Sequence, residues 1–226
     1  MCFSATASFT LAAVLVPAGI YTVLEVRRTN PAWLAFGIFP LVFGVQQILE
    51  GILWLALVGG NETAVCLSSR GFLFFSHFFW LAWVPFAVWT VEADATRRRL
   101  AGLMAIAGFF SGLSVFLPAA LIEDWLRVEV IQRSLEYKTI LIYEGFIDRS
   151  ILRAVYAVIV IGSLLLSSHR LIQVFGVLVM ASLVLTYAFY AYAFISVWCF
   201  FAAVLSVYLA VILRREVSDL HARARG

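Results

Sequence analysis

From Leu171 to Leu213 the chain runs for 43 residues without one charged side chain, and that stretch limits what it can fold into more than any other feature. A helix needs about 20 apolar residues to cross the hydrocarbon core of a bilayer, so the run is too long for one crossing. It fits two, joined by a tight turn near Tyr190, Ala191 and Tyr192. Five further apolar runs precede it. The spans are placed at residues 7–26, 32–58, 72–91, 100–122, 151–168, 171–191 and 193–213, and the expected fold is an all-α, seven-transmembrane helix bundle, a single integral membrane domain over residues 1–226. Composition agrees: 64% of the residues are hydrophobic, 13% are charged and Lys138 is the one lysine, a balance foreign to soluble domains.

The arginines set an orientation. The turns after spans 1, 3 and 5 and the C-terminal tail hold ten of the sixteen basic residues, among them Arg27, Arg97, Arg170 and Arg214, which puts the N-terminus outside and the C-terminus in the cytoplasm. The net charge of +3 follows from these arginines and gives no reason to expect nucleic acid. The expected partners are the lipid bilayer and a small-molecule or ion ligand. MCFSATASF has no positive residue ahead of the first apolar run, so the first span is expected to stay rather than be cleaved as a signal peptide. The one sizeable loop, residues 123–150, falls on the outer side between spans 4 and 5. Its centre, VEVIQRSLEYKTILIY, is too polar to span and alternates in both halves as a short β-hairpin about Arg133 and Ser134 would. It reads either as a cap over the outer mouth or as a solvated loop.

Span 2 carries the chemistry. Gln46, Glu50 and Trp54 are spaced i, i+4, i+8 with Gln47 on the same stripe, and lipid cannot satisfy two amides and a carboxyl. An intramembrane carboxyl points by default to a functional site. Pro40 removes a backbone hydrogen bond two turns earlier and should kink the span. Counting about 1.5 Å per residue from Gly59 puts Glu50 roughly 13 Å deep. Counting from Arg70 puts His77 roughly 10 Å deep on the antiparallel neighbour, so the two are expected in one layer. Ser114, Ser196, Trp198 and Cys199 fall in the same outer half. The stripe His77, Trp80, Leu81 and Val84 otherwise reads as core. Three uses of the pair stay open: acid/base or metal-ligand work in an enzyme, a pocket for a solute or ion, or hydrogen bonds that only fix helix packing.

Counting removes several sharper chemistries. A retinal Schiff base needs an intramembrane lysine, and Lys138 is in the outer loop. Bis-histidine haem needs two buried histidines, yet His169 and His221 are placed on the cytoplasmic side. The multi-histidine zinc site of ceramidase-like seven-span hydrolases fails for the same reason. FFSG around Ser111 lacks the first glycine of Gly-x-Ser-Gly, which weighs against Ser111 or Ser114 as a nucleophile with His77. No metal site and no cofactor is assigned, although Cys2, Cys199, His77 and Glu50 have ligand types for copper or zinc if they met. Cys2 and Cys66 share the outer surface, where either a disulfide or two separate thiols fits.

The opening MCFSATASF, FGVQQILEG in span 2, SHFFWLAWVPF in span 3 and SVWCFFAA in span 7 resemble, from end to end, a family of bacterial multispanning membrane proteins classed as a domain of unknown function. The resemblance implies the inner (plasma) membrane and a recurring place for Cys2, Gln46, Gln47, Glu50, Trp198 and Cys199, and it brings no activity. Where such proteins often read GHHIRY in the outer loop, this chain has QRSLEY. The functional expectation is an outward-facing pocket lined by Gln46, Gln47, Glu50, His77 and Trp198 that binds or passes a small solute or ion. A membrane enzyme using Glu50 and His77 is the alternative, and an assembly partner in a membrane complex the third.

Overall fold

The computed structural model describes residues 4–122, 124–131 and 134–223, with side chains as far as residue 213. Among them, six helical stretches are long and apolar enough to cross a membrane. They are α1 (Ala5–Thr29), α2 (Pro31–Gly59), α3 (Glu62–Val91), α4 (Ala95–Leu121), α5 (Arg149–Leu166) and the stretch Arg170–Leu213. The last comprises α6 (Arg170–Tyr190) and most of α7 (Phe194–Arg223), either side of a 3-10 turn at Ala191–Ala193. The seven separate spans expected therefore appear as six stretches. The break in the sixth falls where the tight turn was expected: Tyr190 leaves helical backbone with φ −136° and ψ 34°, and α6 and α7 pack on each other beyond it.

One boundary differs from the sequence expectation in a way that matters. Helix α3 starts at Glu62 rather than near residue 72, because Gly60 takes the left-handed conformation (φ +66°) that ends α2 and Asn61 immediately caps the next helix, accepting from the Ala64 N–H at 3.0 Å. The expected kink at Pro40 is a break at Ile38: proline has no N–H for the Phe36 carbonyl, and Ile38 closes a short turn over Leu34–Gly37 instead. The nearby Ala35 carbonyl accepts from the Trp83 indole at 2.9 Å, tying α2 to α3.

Small residues let the helices approach closely, as they do where lipid offers no hydrophobic drive to associate. A Cβ on Gly19 of α1 would lie 2.3 Å from the Leu41 nitrogen of α2, and one on Gly108 of α4 would lie 2.0 Å from the Leu81 carbonyl oxygen of α3. Gly108→Ala is expected to force the pair apart at about 1–3 kcal/mol. Gly59→Ala, with nothing within 4 Å, is the control. Thermal denaturation of both in detergent checks this, and equal melting temperatures would contradict the contact.

Strands β1 (Leu126–Ile131) and β2 (Ser134–Thr139) pair antiparallel from Leu126↔Thr139 to Ile131↔Ser134, as the alternation around residue 133 predicts; Arg133 itself lies outside the described residues. Leu135 and Tyr137 of β2 are buried. Tyr137 stacks on Phe72 of α3 with centroids 4.8 Å apart, and both join Leu53, Trp54, Leu73 and Cys199 in one apolar cluster. The hairpin is docked on the bundle rather than solvated. In the main core Phe43 stacks on Trp80 at 3.9 Å, and Trp80, Leu81 and Val84 are buried as expected.

Candidate functional site

Beneath the hairpin is a cavity of about 420 Å³. Each wall comes from a different element: Ser76 and His77 from α3, Ser111 and Ser114 from α4, residues of β2, the first two turns of α5, and Phe194, Trp198 and Cys199 from the start of α7. His77 reaches it from a π-helical turn, Phe74–Phe79, that widens α3. Such turns are frequent at functional positions. The His77 Nδ1 is 2.9 Å from the Ser76 Oγ, so its hydroxyl partner is its own neighbour and not Ser111 or Ser114. Tyr143 reaches across the cavity's edge and donates to the Ser114 Oγ at 2.8 Å. Trp198 is 6% exposed, and its indole N–H has no acceptor among the described residues.

Of the five residues expected to line a pocket, His77 and Trp198 do. Gln46, Gln47 and Glu50 are fully buried and stand one layer back. Glu50 accepts from the Ser196 Oγ at 2.5 Å, and Gln46 accepts from the Trp80 indole at 2.8 Å. Neither amide atom of Gln47 has a hydrogen-bond partner among the described residues. Ser196 is the hinge of this arrangement: its neighbours Phe194, Ile195, Trp198 and Cys199 face the cavity while its hydroxyl turns to Glu50. Leu49 packs against the Gly71 position of α3 and Gln46 accepts from Trp80, so the Glu50 stretch of α2 lies along residues 71–80 of α3, the segment that carries His77. Trp54 belongs to the cluster under the hairpin.

The cavity's roof is charged. The Lys138 Nζ is 2.6 Å from Glu129 across the hairpin and 3.8 Å from Glu136, and the hydrogen bond to Glu129 raises its pKa. Arg149 donates to Glu144 and to the Thr139 carbonyl, both at 2.9 Å, which holds the Glu144 carboxyl below its ordinary range. Sequence reasoning missed Arg149 and Arg153 as wall residues, and their i, i+4 spacing at the start of α5 was the available signal. Among the described residues no three His, Cys, Asp or Glu side chains gather as a metal site. Cys66 is a free, half-buried thiol; Cys2, its expected disulfide partner, lies outside the described residues.

A second polar centre was not anticipated. Glu92, the cap residue after α3, is 3% exposed and accepts from the Ser167 Oγ (3.2 Å), the Ser168 Oγ (2.6 Å), the Ser168 N–H (2.7 Å) and the Asp94 N–H (3.1 Å). Burial alone would raise its pKa, but the bonds from Ser168, Asp94 and Ser167 bring it down to about 2. His169 donates to the Val91 carbonyl at 2.9 Å, so the α3–α4 and α5–α6 connections are clasped together.

The chain belongs to a family described as a family of unknown function (DUF6629), whose model matches residues 1–224, in keeping with the end-to-end resemblance read from the motifs. No curated protein and no solved structure matches it.

Proposed function

We propose that this member of the DUF6629 family crosses the bacterial inner membrane seven times as one membrane domain, N-terminus outside and C-terminus in the cytoplasm, and binds or passes a small solute through a pocket open to the outside. The cavity under the hairpin carries the reading. Its volume of about 420 Å³ falls within the roughly 300–1,000 Å³ of small-molecule sites, and its wall pairs an apolar floor with a few convergent polar groups, His77, Ser114 and Trp198 among them. Behind it Glu50 holds the first turns of α7 through Ser196, and Gln46 accepts from Trp80 of α3. Seven crossings are supported by the turn at Ala191–Ala193, and the orientation by the arginine asymmetry.

Cysteine labelling tests orientation and access together. In a background with Cys2, Cys66 and Cys199 replaced, Ser111→Cys in the cavity wall should react with a membrane-impermeant maleimide added to spheroplasts. Arg98→Cys should react only after permeabilisation. Labelling of Arg98→Cys from outside would overturn the orientation, and a Ser111→Cys that never reacts would remove the open pocket.

A further inference from the structure

Three cations and one acid, Glu136, are on the cavity wall. Two of the cations are matched: Lys138 by Glu129 and Glu136, and Arg149 by Glu144. Arg153, one turn further along α5, has no carboxylate at ion-pair distance among the described residues; its guanidinium lies over the Phe194 ring, 5.4 Å from the centroid. Asp148, the acid nearest along the chain, caps its own helix by accepting from Ser150 and feels the Arg153 charge without closing an ion pair with it. Arg153 is exposed at the cavity wall, and a guanidinium with no ion-pair partner favours a planar anion that can accept two parallel hydrogen bonds. The Trp198 indole N–H, buried in the same wall, is a further donor for such an anion.

The rest of the wall argues against a bare inorganic ion. Below Arg153 the surface is made by Leu81, Val115, Val155, Phe194, Ile195 and Trp198. Val155 lines the cavity and is 42% exposed, so the apolar part of the wall reaches the surface. With Lys138 and Arg149 matched by carboxylates, the charge a guest would meet is that of Arg153, which disfavours a positively charged group beside it.

We infer that the cavity takes an amphiphile with one anionic head, a carboxylate or a phosphate, the head seated on Arg153 and the apolar body lying along Phe194 and Trp198. This rests on reading the cavity as a ligand pocket.

The test uses the full-length protein in dodecyl maltoside with four probes: dodecanoate, dodecyl phosphate, dodecanol and inorganic phosphate. Dodecanoate and dodecyl phosphate should raise the melting temperature saturably; dodecanol and inorganic phosphate should not. Arg153→Gln should weaken the two anionic probes at least tenfold, Arg153→Lys should fall between, and Arg127→Gln on the exposed strand should match wild type. Competition by phosphatidylglycerol but not phosphatidylcholine assigns the head to a membrane lipid, whereas indifference to both assigns it to a free acid; either supports the inference. Equal responses to dodecanol and dodecanoate, or an unaltered Arg153→Gln, would overturn the anionic head while leaving the pocket. Silence from all four probes overturns it as well, and with an unreactive Ser111→Cys it removes the pocket reading too.

Discussion

Replacing Glu92 with alanine is expected to lower the unfolding free energy by on the order of 3 kcal/mol at neutral pH. The carboxyl falls from 4.5 to about 2 on folding, at about 1.4 kcal/mol for each pH unit. Because the folded value is the lower one, the contribution is present in full above pH 4.5 and is lost as pH falls from there towards 2. The melting-temperature difference between wild type and Glu92→Ala should therefore shrink by roughly half on going from pH 7 to pH 3. Glu92→Gln keeps an acceptor oxygen but turns an NH₂ towards the same donors, and should lose an intermediate amount. A difference that does not change with pH would mean that Glu92 acts through packing alone.

Glu50→Ala should also be costly, by about 3 kcal/mol, since it leaves a void among fully buried side chains and takes from Ser196 its carboxylate acceptor. Glu50→Gln keeps the shape and an oxygen for that hydroxyl, and is expected within about 1 kcal/mol of wild type. The two variants also separate roles. If Glu50 holds α7 in position, Glu50→Gln retains outside labelling of Ser111→Cys and binding of dodecanoate, and Glu50→Ala loses both along with stability. Should Glu50→Gln fold normally yet bind nothing, the charge itself belongs to the site, as the intramembrane carboxyl first suggested.

The apolar helices and the hairpin could be read along the chain because each rests on a local property. Hydropathy over about 20 residues marks a helix that can cross, and alternation in both halves of VEVIQRSLEYKTILIY marks two strands. The uncharged run Leu171–Leu213 announced its own interruption for the same reason. Gln46, Gln47 and Glu50 could likewise be placed away from lipid, because the cost of an unpaired polar group there does not depend on which partner is found.

Partner choice is what the sequence by itself left undetermined. Glu50 stands on the helix next to that of His77, and its carboxyl takes the Ser196 hydroxyl, 146 positions away. Glu92 looked like one more charge in a turn until folding brought Ser167 and Ser168, 75 and 76 positions on, around it. Arg149 read as the end of the loop and Arg153 as part of the first turn of span 5. Only the docking of β2, whose Thr139 carbonyl accepts from Arg149, made them the wall of a cavity. A hydrophobic run determines that a helix exists and which face avoids lipid; how helices are turned and shifted against one another depends on contacts such as Gly19 on Leu41 and Gly108 on Leu81, and these exist only once the chain is packed.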